Sequence, residues 1–320
     1  MRRLFIKIAG LALTGALVSA CGGSNDPGTL AEEASARGFS ALVAASTKAG
    51  LVPALSSSSS NLTVFAPTDA AFTSLATTLG FASATAMVNT LDAATLAKIL
   101  QYHVLPTAKT AAQIAGGGAT QATLYTFEGA ASTLSVSSTG GVKLTDEVLT
   151  QATVTTADVS ASNGVIHVID KVLVPPGVLD IVQMAKLNPT FSVLVEAVVA
   201  ANLANALSGA GPLTVFAPTN DAFTAALTEL SLTKAQLLAS PSLSGILTYH
   251  VVNGNVRAAD VVALPKPASV ATLQGSTFSV GTTLAITDGR TRVANLVATD
   301  VIASNGVIHV IDKVLLPPIN

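Results

Sequence analysis

Apolar positions recur at helical spacing from Leu30 to Leu55, with Phe39, Leu42, Val43 and Ser46 along one stripe and alanine between them. This spacing predicts helix. Thr63-Val64-Phe65 alternates as a short strand and turns at Ala66-Pro67-Thr68-Asp69 into a helix carrying Phe72, Leu75 and Leu79. Asp69 is the expected cap of that helix, because a side-chain oxygen satisfies a free N–H of the first turn. Residues 91–100 predict another helix, which runs into Tyr102-His103-Val104. From Thr123 the period falls to two, predicting strands at 124–127, 133–136, 142–144 and 152–154. Val165-Ile166-His167-Val168-Ile169 is apolar and β-branched on both faces, the pattern of a strand covered on both sides. Pro175-Pro176 ends it, because proline donates no ladder hydrogen bond. Helices first and strands afterward, bracketed by one early strand, describe an α+β unit.

The plan then repeats. Leu62–Thr68 and Leu213–Thr219 both read LTVFAPT, and Tyr-His-Val occurs at Tyr102 and at Tyr249. Ala161–Pro176 reads ASNGVIHVIDKVLVPP, and Ala303–Pro318 differs from it only by Leu316 in place of Val174. The offset is 151 residues between Leu62 and Leu213, 147 between Tyr102 and Tyr249, and 142 between Ala161 and Ala303. Three ordered boxes make a tandem repeat, with length changes confined to the loops between them. Asn163-Gly164 and Asn305-Gly306 are strong turn signals, both residues accepting positive φ. In the second half, residues 178–184 and 191–207 predict helices broken at Asn188-Pro189, with Phe191, Leu194, Val195, Val198 and Val199 on one face. Only Pro175-Pro176-Gly177 joins the halves, which implies two domains in a fairly defined relation.

Composition narrows the function. Half of the 320 residues are hydrophobic, 11% are charged, aromatics make up 4% and there is no Trp. Large cores are easily filled, whereas a stacking platform for bases or sugars is not expected. The formal net charge of −2 and the lack of a basic run after residue 7 argue against a nucleic-acid partner. The single cysteine, Cys21, excludes an internal disulfide and a thiolate-ligated metal centre. Arg2, Arg3 and Lys7 precede an apolar run, Ile8–Val18, that is short for a membrane span. Val18-Ser19-Ala20-Cys21 resembles the bacterial lipobox. That resemblance implies cleavage after residue 20 and lipid on Cys21; Gly22 in place of Asp after the cysteine resembles the signal for export to the outer membrane, on its surface or periplasmic face. Two or three acyl chains hold firmly, at about 0.8 kcal/mol per buried methylene. Residues 21–28 read as a flexible tether and Ser56–Ser60 as a loop.

Thr-Val-Phe-Ala-Pro-Thr, then Asp-Ala-Ala-Phe or Asn-Asp-Ala-Phe, then Tyr-His, then Asn-Gly-Val-Ile-His-Val-Ile-Asp together resemble the fasciclin domain, in two copies: residues 29–176 and 177–320. The resemblance implies, in each, a wedge of two small β-sheets flanked by several helices. It also implies a non-enzymatic adhesion or matrix-contact module that takes no cofactor and meets a matrix polymer, a glycan or a surface protein, with self-association possible. The cell-binding segments attributed to animal members fall here on Tyr102, His103, Tyr249 and His250, and on Asp158-Val159 and Asp300-Val301-Ile302, where Val stands in place of Ile. What those last segments would offer is an exposed carboxylate beside an aliphatic knob.

Two further readings stay open. One is a periplasmic binding module for a small apolar or acidic ligand, in a cleft near Tyr102 or Tyr249, recognisable by a cavity of about 300 Å³ or more with converging polar groups. The other makes the four histidines, His103, His167, His250 and His309, metal or pH-sensing sites instead of core groups bonded to backbone. His167 shares a face with Val165 and Ile169, which points it inward, and no metal-ligand spacing accompanies it. Asp170 and Asp312 are expected to cap turns or pair with a base. Gly116-Gly117-Gly118 lacks the Lys and Ser/Thr of a phosphate loop, and no Gly-x-Ser-x-Gly elbow occurs.

Overall fold

The computed structural model describes residues 26–263 and 265–319. The leader, Cys21 and most of the expected tether lie outside them. Among the described residues no single helix is long and apolar enough to cross a membrane.

In the first domain seven strands, β1 (Leu62–Pro67), β2 (Val104–Leu105), β3 (Thr120–Phe127), β4 (Ala130–Ser137), β5 (Lys143–Thr145), β6 (Gln151–Ala161) and β7 (Gly164–Ile169), form one sheet ordered β2-β1-β7-β6-β5-β4-β3. In the second domain β8 (Leu213–Pro218), β9 (Val251–Asn253), β10 (Ala268–Ala271), β11 (Thr277–Val280), β12 (Ile286–Thr287), β13 (Val293–Ala294), β14 (Leu296–Ala303) and β15 (Gly306–Ile311) form two sheets, β10-β11-β12-β13 and β14-β15-β8-β9. The duplicated block thus supplies an inner strand in each domain. β7 lies parallel to β1 and antiparallel to β6, and β15 lies parallel to β8 and antiparallel to β14.

Alternation along these central strands feeds two cores at once. Val64, Ala66 and Ile166 point into a core built with the helices, alongside Leu42, Phe72, Leu75 and Met87. Phe65 and Ile169 point the other way, onto Tyr102, Leu134 and Leu144. The second domain repeats the division, with Val215 and Ile308 on the helical side and Phe216, Tyr249 and Ile311 on the other. Ile166 and Ile308 are 1% and 2% exposed, as a strand covered on both faces requires.

The long helix expected from Leu30 to Leu55 is three helices, Leu30–Ala36, Ser40–Lys48 and Val52–Leu55. Gly38 and Gly50, at φ +76° and +70°, turn the chain between them. Residues 191–207 are likewise divided, with Ser192–Ala200 and Ala204–Leu207 separated at Asn202, φ 56°. Thr68, not Asp69, caps the helix Asp69–Leu79, accepting from Ala71 N. The Asp69 carboxylate instead reaches the neighbouring helix, accepting from the Ser40 hydroxyl and from Ala41 N at 2.9 Å.

The domains share a built junction. Val148 and Val174 of the first domain complete the helical core of the second. Asn188 Nδ2 donates to Val148 O across the boundary at 2.8 Å, and the joint is fixed from each side, Tyr125 donating its hydroxyl to Pro176 O and Gly177 N donating to Ile302 O, both at 3.0 Å. Gly177 sits at φ +71° against the Phe127 ring, where a side chain has no room. Ile302 N donates to Glu147 Oε1 at 2.6 Å. Burial raises the Glu147 pKa to about 7.

Candidate functional site

The Tyr-His pairs expected at the surface are inside. Tyr102 ends the helix Ala93–Tyr102, is 1% exposed, and donates its hydroxyl to Thr133 O at 3.0 Å. His103 is also buried. Its Nδ1 faces Ile99 O at 2.7 Å and its Nε2 faces Leu173 N at 2.9 Å. A carbonyl requires a donor and an N–H requires an acceptor, so the ring is the neutral tautomer with its proton on Nδ1. The second domain copies this. Tyr249 OH donates to Thr277 O at 2.8 Å, and His250 lies between Ile246 O and Leu315 N, both at 2.8 Å. Burial holds both imidazoles at about 4. As contact residues these four are corrected: each is spent on joining its helix to the strand block, and none presents an atom to a partner.

The Asp-Val segments are also structural. Asp158 and Asp300 take positive φ, both 58°, where the pairing of β6 with β7 and of β14 with β15 shifts register. The bulge frees the Asp158 N–H, which donates to His167 Nδ1 at 3.2 Å, and turns the carboxylate onto Ala111 N at 2.8 Å. Asp300 repeats both contacts, with His309 Nδ1 at 3.3 Å and Ala258 N at 2.9 Å. His167 Nε2 and His309 Nε2 donate to Lys109 O and Val256 O, both at 2.9 Å, so these rings are the opposite neutral tautomer to His103 and His250. Burial also lowers the His309 pKa. Asp158 keeps an exposed face, but the expected aliphatic knob is absent: Val159, Val301 and Ile302 are 7%, 6% and 8% exposed and pack inward.

Two polar centres lie outside the expected site residues. Asn163 is buried. Its Oδ1 accepts from Leu30 N at 2.8 Å and its Nδ2 donates to Leu55 O and Ser57 O, both at 2.9 Å. Asn305 makes the matching bonds to Ile181 N, Leu207 O and Gly209 O. The hairpin loop itself is Ser162-Asn163, since Ala161 pairs with Gly164. Gly164 is therefore the first residue of β7, and its missing Cβ lets the Leu62 carbonyl approach; Gly306 does the same for Leu213. The second centre is Asp146, 4% exposed, which accepts from Thr150 N, from Val174 N at 3.0 Å and from Lys171 Nζ at 2.7 Å. Asp288 corresponds, accepting from Arg290 N, Arg292 N and Leu316 N. Alignment of the two halves shows the signal, because Asp146 and Asp288 both follow Leu/Ile-Thr and precede Asp170 and Asp312 by the same spacing. Asp170 and Asp312, expected to cap turns or pair with a base, instead accept from the backbone N–H groups of Thr153, within β6, and Asn295, both at 2.7 Å.

Three of the concavities among the described residues bear on these expectations. At the domain junction a cleft of about 470 Å³ lies between Phe127, Glu128, Asn255, Arg257, Ser304 and Asn305. It has the size expected of a ligand cleft, but neither Tyr102 nor Tyr249 lines it, and its one charged pair, Arg257 Nη2 to Glu128 Oε1 at 2.6 Å, is closed on itself. In the first domain an apolar cavity of about 150 Å³ lies between the helices Leu30–Ala36, Ser40–Lys48 and Val52–Leu55 and strand β1. Its counterpart in the second domain holds about 30 Å³. Among the described residues no group of three His, Cys, Asp or Glu side chains converges on a metal position.

A family model described as "Fasciclin domain" matches residues 37–175 and 189–317. The chain is 48% identical over 146 residues to Protein sll1483 of Synechocystis, a match covering 44% of this chain and 74% of that protein. It is 37% identical over 164 residues to the transforming growth factor-beta-induced protein ig-h3 of Sus scrofa, which covers 50% of this chain but 22% of that one. Among solved structures it is similar to a FAS1 domain pair from the insect cell adhesion molecule Fasciclin I, with a TM-score of 0.46, 20% identity, and coverage of 89% of this chain and 98% of that one.

Proposed function

The chain belongs to the fasciclin domain family, in two consecutive copies, and from that premise we propose that it is a non-enzymatic contact protein of the cell envelope. It meets a matrix polymer, a glycan or a surface protein, or a second copy of itself, through the outer faces of both domains. Fasciclin domains are associated with adhesion in homologues, which supports the reading. The observation that carries it is the fate of the reactive side chains. Each imidazole fills both ring nitrogens with backbone groups, and each repeated aspartate is committed to backbone N–H groups. What is left for contact with a macromolecule is the surface and the cleft between the domains.

Lipid on Cys21 holds the protein at the membrane in this proposal, through the lipobox-like Val18–Cys21. Two experiments test it. Deletion of residues 29–320 is expected to reduce attachment or biofilm cohesion with growth unchanged, and unchanged attachment on several surfaces overturns the contact reading. Cys21→Ser is expected to move the protein from the membrane fraction to the soluble fraction, and retention on the membrane overturns the anchor.

A further inference from the structure

We propose that the apolar cavity of the first domain is a binding site for a small neutral molecule, aromatic or branched, that carries one hydroxyl group. The inference goes beyond the contact reading and stands whether or not that reading holds.

Size and lining set the class. The cavity holds about 150 Å³ and is walled by Leu30, Leu42, Val64, Leu100 and Val104, with two hydroxyl side chains, Ser46 and Thr47, on the helix Ser40–Lys48; the Thr47 hydroxyl is already donated to Val43 O at 2.8 Å. An apolar cavity of about that volume takes a benzene-sized molecule and stays dry without one. Thr47 is exposed and Val43, Leu51 and Val52 are half-buried, so the cavity reaches the surface on this side.

The hydroxyl requirement comes from Ser46. Its side chain is 3% exposed, and its Oγ finds no hydrogen-bond partner among the described residues. A buried hydroxyl without a partner is costly, and cores of natural proteins rarely hold one without a reason. The only ring nitrogens at the wall, those of His103, are already engaged by Ile99 O and Leu173 N. A lone water in this cavity would meet too few polar groups to be held well, since an internal water takes two to four partners. A ligand hydroxyl meets the serine and brings its own apolar body to fill the remaining space.

The second domain provides the control within the same molecule. The helices Ser40–Lys48 and Ser192–Ala200 align residue for residue, which places Val198 where Ser46 stands. Leu30 and Ile181 align through their shared bond to the asparagine pin, which places Val182 where Ala31 stands. Both changes add carbon, and the cavity shrinks to about 30 Å³. Equivalent elements thus surround a nearly filled site without a hydroxyl in one copy and an open site with an unpartnered hydroxyl in the other.

The test is a titration of the full chain with phenol and with benzene, followed by methyl NMR spectra. Phenol is expected to shift the methyl groups of Leu42, Val64, Leu100 and Val104 and to leave Leu194, Val215, Leu247 and Val251 in place. Ser46→Val is expected to weaken phenol binding at least tenfold. Ser46→Ala should keep benzene binding and lose a preference for phenol of about fivefold, the worth of one net hydrogen bond. Ala31→Val fills the opposite wall as the second domain does, and provides the blocking variant if Ser46→Val fails to fold. Equal shifts in both sets of methyls, no shift up to the solubility limit, no preference for phenol over benzene, or unchanged binding in the blocking variant would overturn the proposal.

Discussion

The first domain joins its strands into one sheet of seven, whereas the second divides the same plan into two sheets of four. The difference comes down to one residue. Strand β6 pairs with β5 through Thr153, then with β7 from Val154 onward. At the corresponding place Asn295 drops out of the ladder and separates β13 from β14. Yet the backbone N–H of both residues is held by an equivalent carboxylate, Asp170 or Asp312, at 2.7 Å. The fold is therefore two small sheets in each half, hinged at a carboxylate-pinned residue, and continuity across the hinge is a detail. The polar pins are the constant part of this architecture. Apolar filling between them is free to differ, as Ser46 and Val198 show.

The largest effect that could break this view is at the asparagine pins. Asn163→Ala orphans one N–H and two carbonyls in a buried place, so a loss of roughly 3–5 kcal/mol from the first domain is expected. Asn305 is half-buried beside the junction cleft, where water replaces part of the loss; its alanine variant should cost the second domain roughly 1–3 kcal/mol. Calorimetry of the two variants checks this, and equal losses would remove the distinction between the pins.

Acid should next act on both domains alike. His103 and His250 have folded pKa values of about 4, below the ordinary value of about 6.5, so each contributes stability that is complete above the ordinary value and lost as pH falls toward 4. The difference is worth roughly 3 kcal/mol per domain. Glu147 at the junction has the opposite sign: its pKa is raised to about 7, so its contribution is present in acid and lost as pH rises through neutrality. Thermal unfolding between pH 4 and 8 should show both domains weakening together in acid, and Glu147→Gln should remove the neutral-side dependence alone. A pH-independent first domain would sink the histidine account.

Smaller effects sharpen the comparison further. Asp158→Ala and Asp300→Ala each remove a cap on a helix start, at Ala111 N and Ala258 N, and should cost about 1 kcal/mol apiece. Glycine at either position should cost less, because it accepts the positive φ without strain. Urea titrations that separated the two aspartates by several kcal/mol would contradict their equivalence. Glu128→Gln should change stability by less than about 1 kcal/mol, because the pair with Arg257 is exposed at the cleft rim.

Much of this was legible in residue order. The repeated blocks located the inner strands and the inward face of His167, because a strand covered on both sides is written in consecutive β-branched residues; the prolines do not stop these strands, which end at Ile169 and Ile311, six residues earlier. Long-range partners were not legible. Nothing in Asn163-Gly164 shows that the asparagine side chain binds Leu30 N or that the glycine admits a carbonyl from β1; both depend on how distant segments meet. Tyr102 and His103 read as surface groups only through the family resemblance, whereas their position at the end of an amphipathic helix, one residue before a short inner strand, already set them in the core. The cavity was visible only by laying one copy on the other, where a serine on the apolar stripe meets a valine.

The asparagine pin also decides how the molecule bears load. Gly28 O accepts from Ser162 N at 2.8 Å, and Leu30 N donates to Asn163 Oδ1 at the same distance, so tension arriving through residues ahead of Thr29 is delivered to the tip of the β6–β7 hairpin. Those few bonds lie in series with everything behind them. They would part before the ladder does, letting the first helices peel away while the sheet keeps its shape, and the protein would yield to a tug in stages.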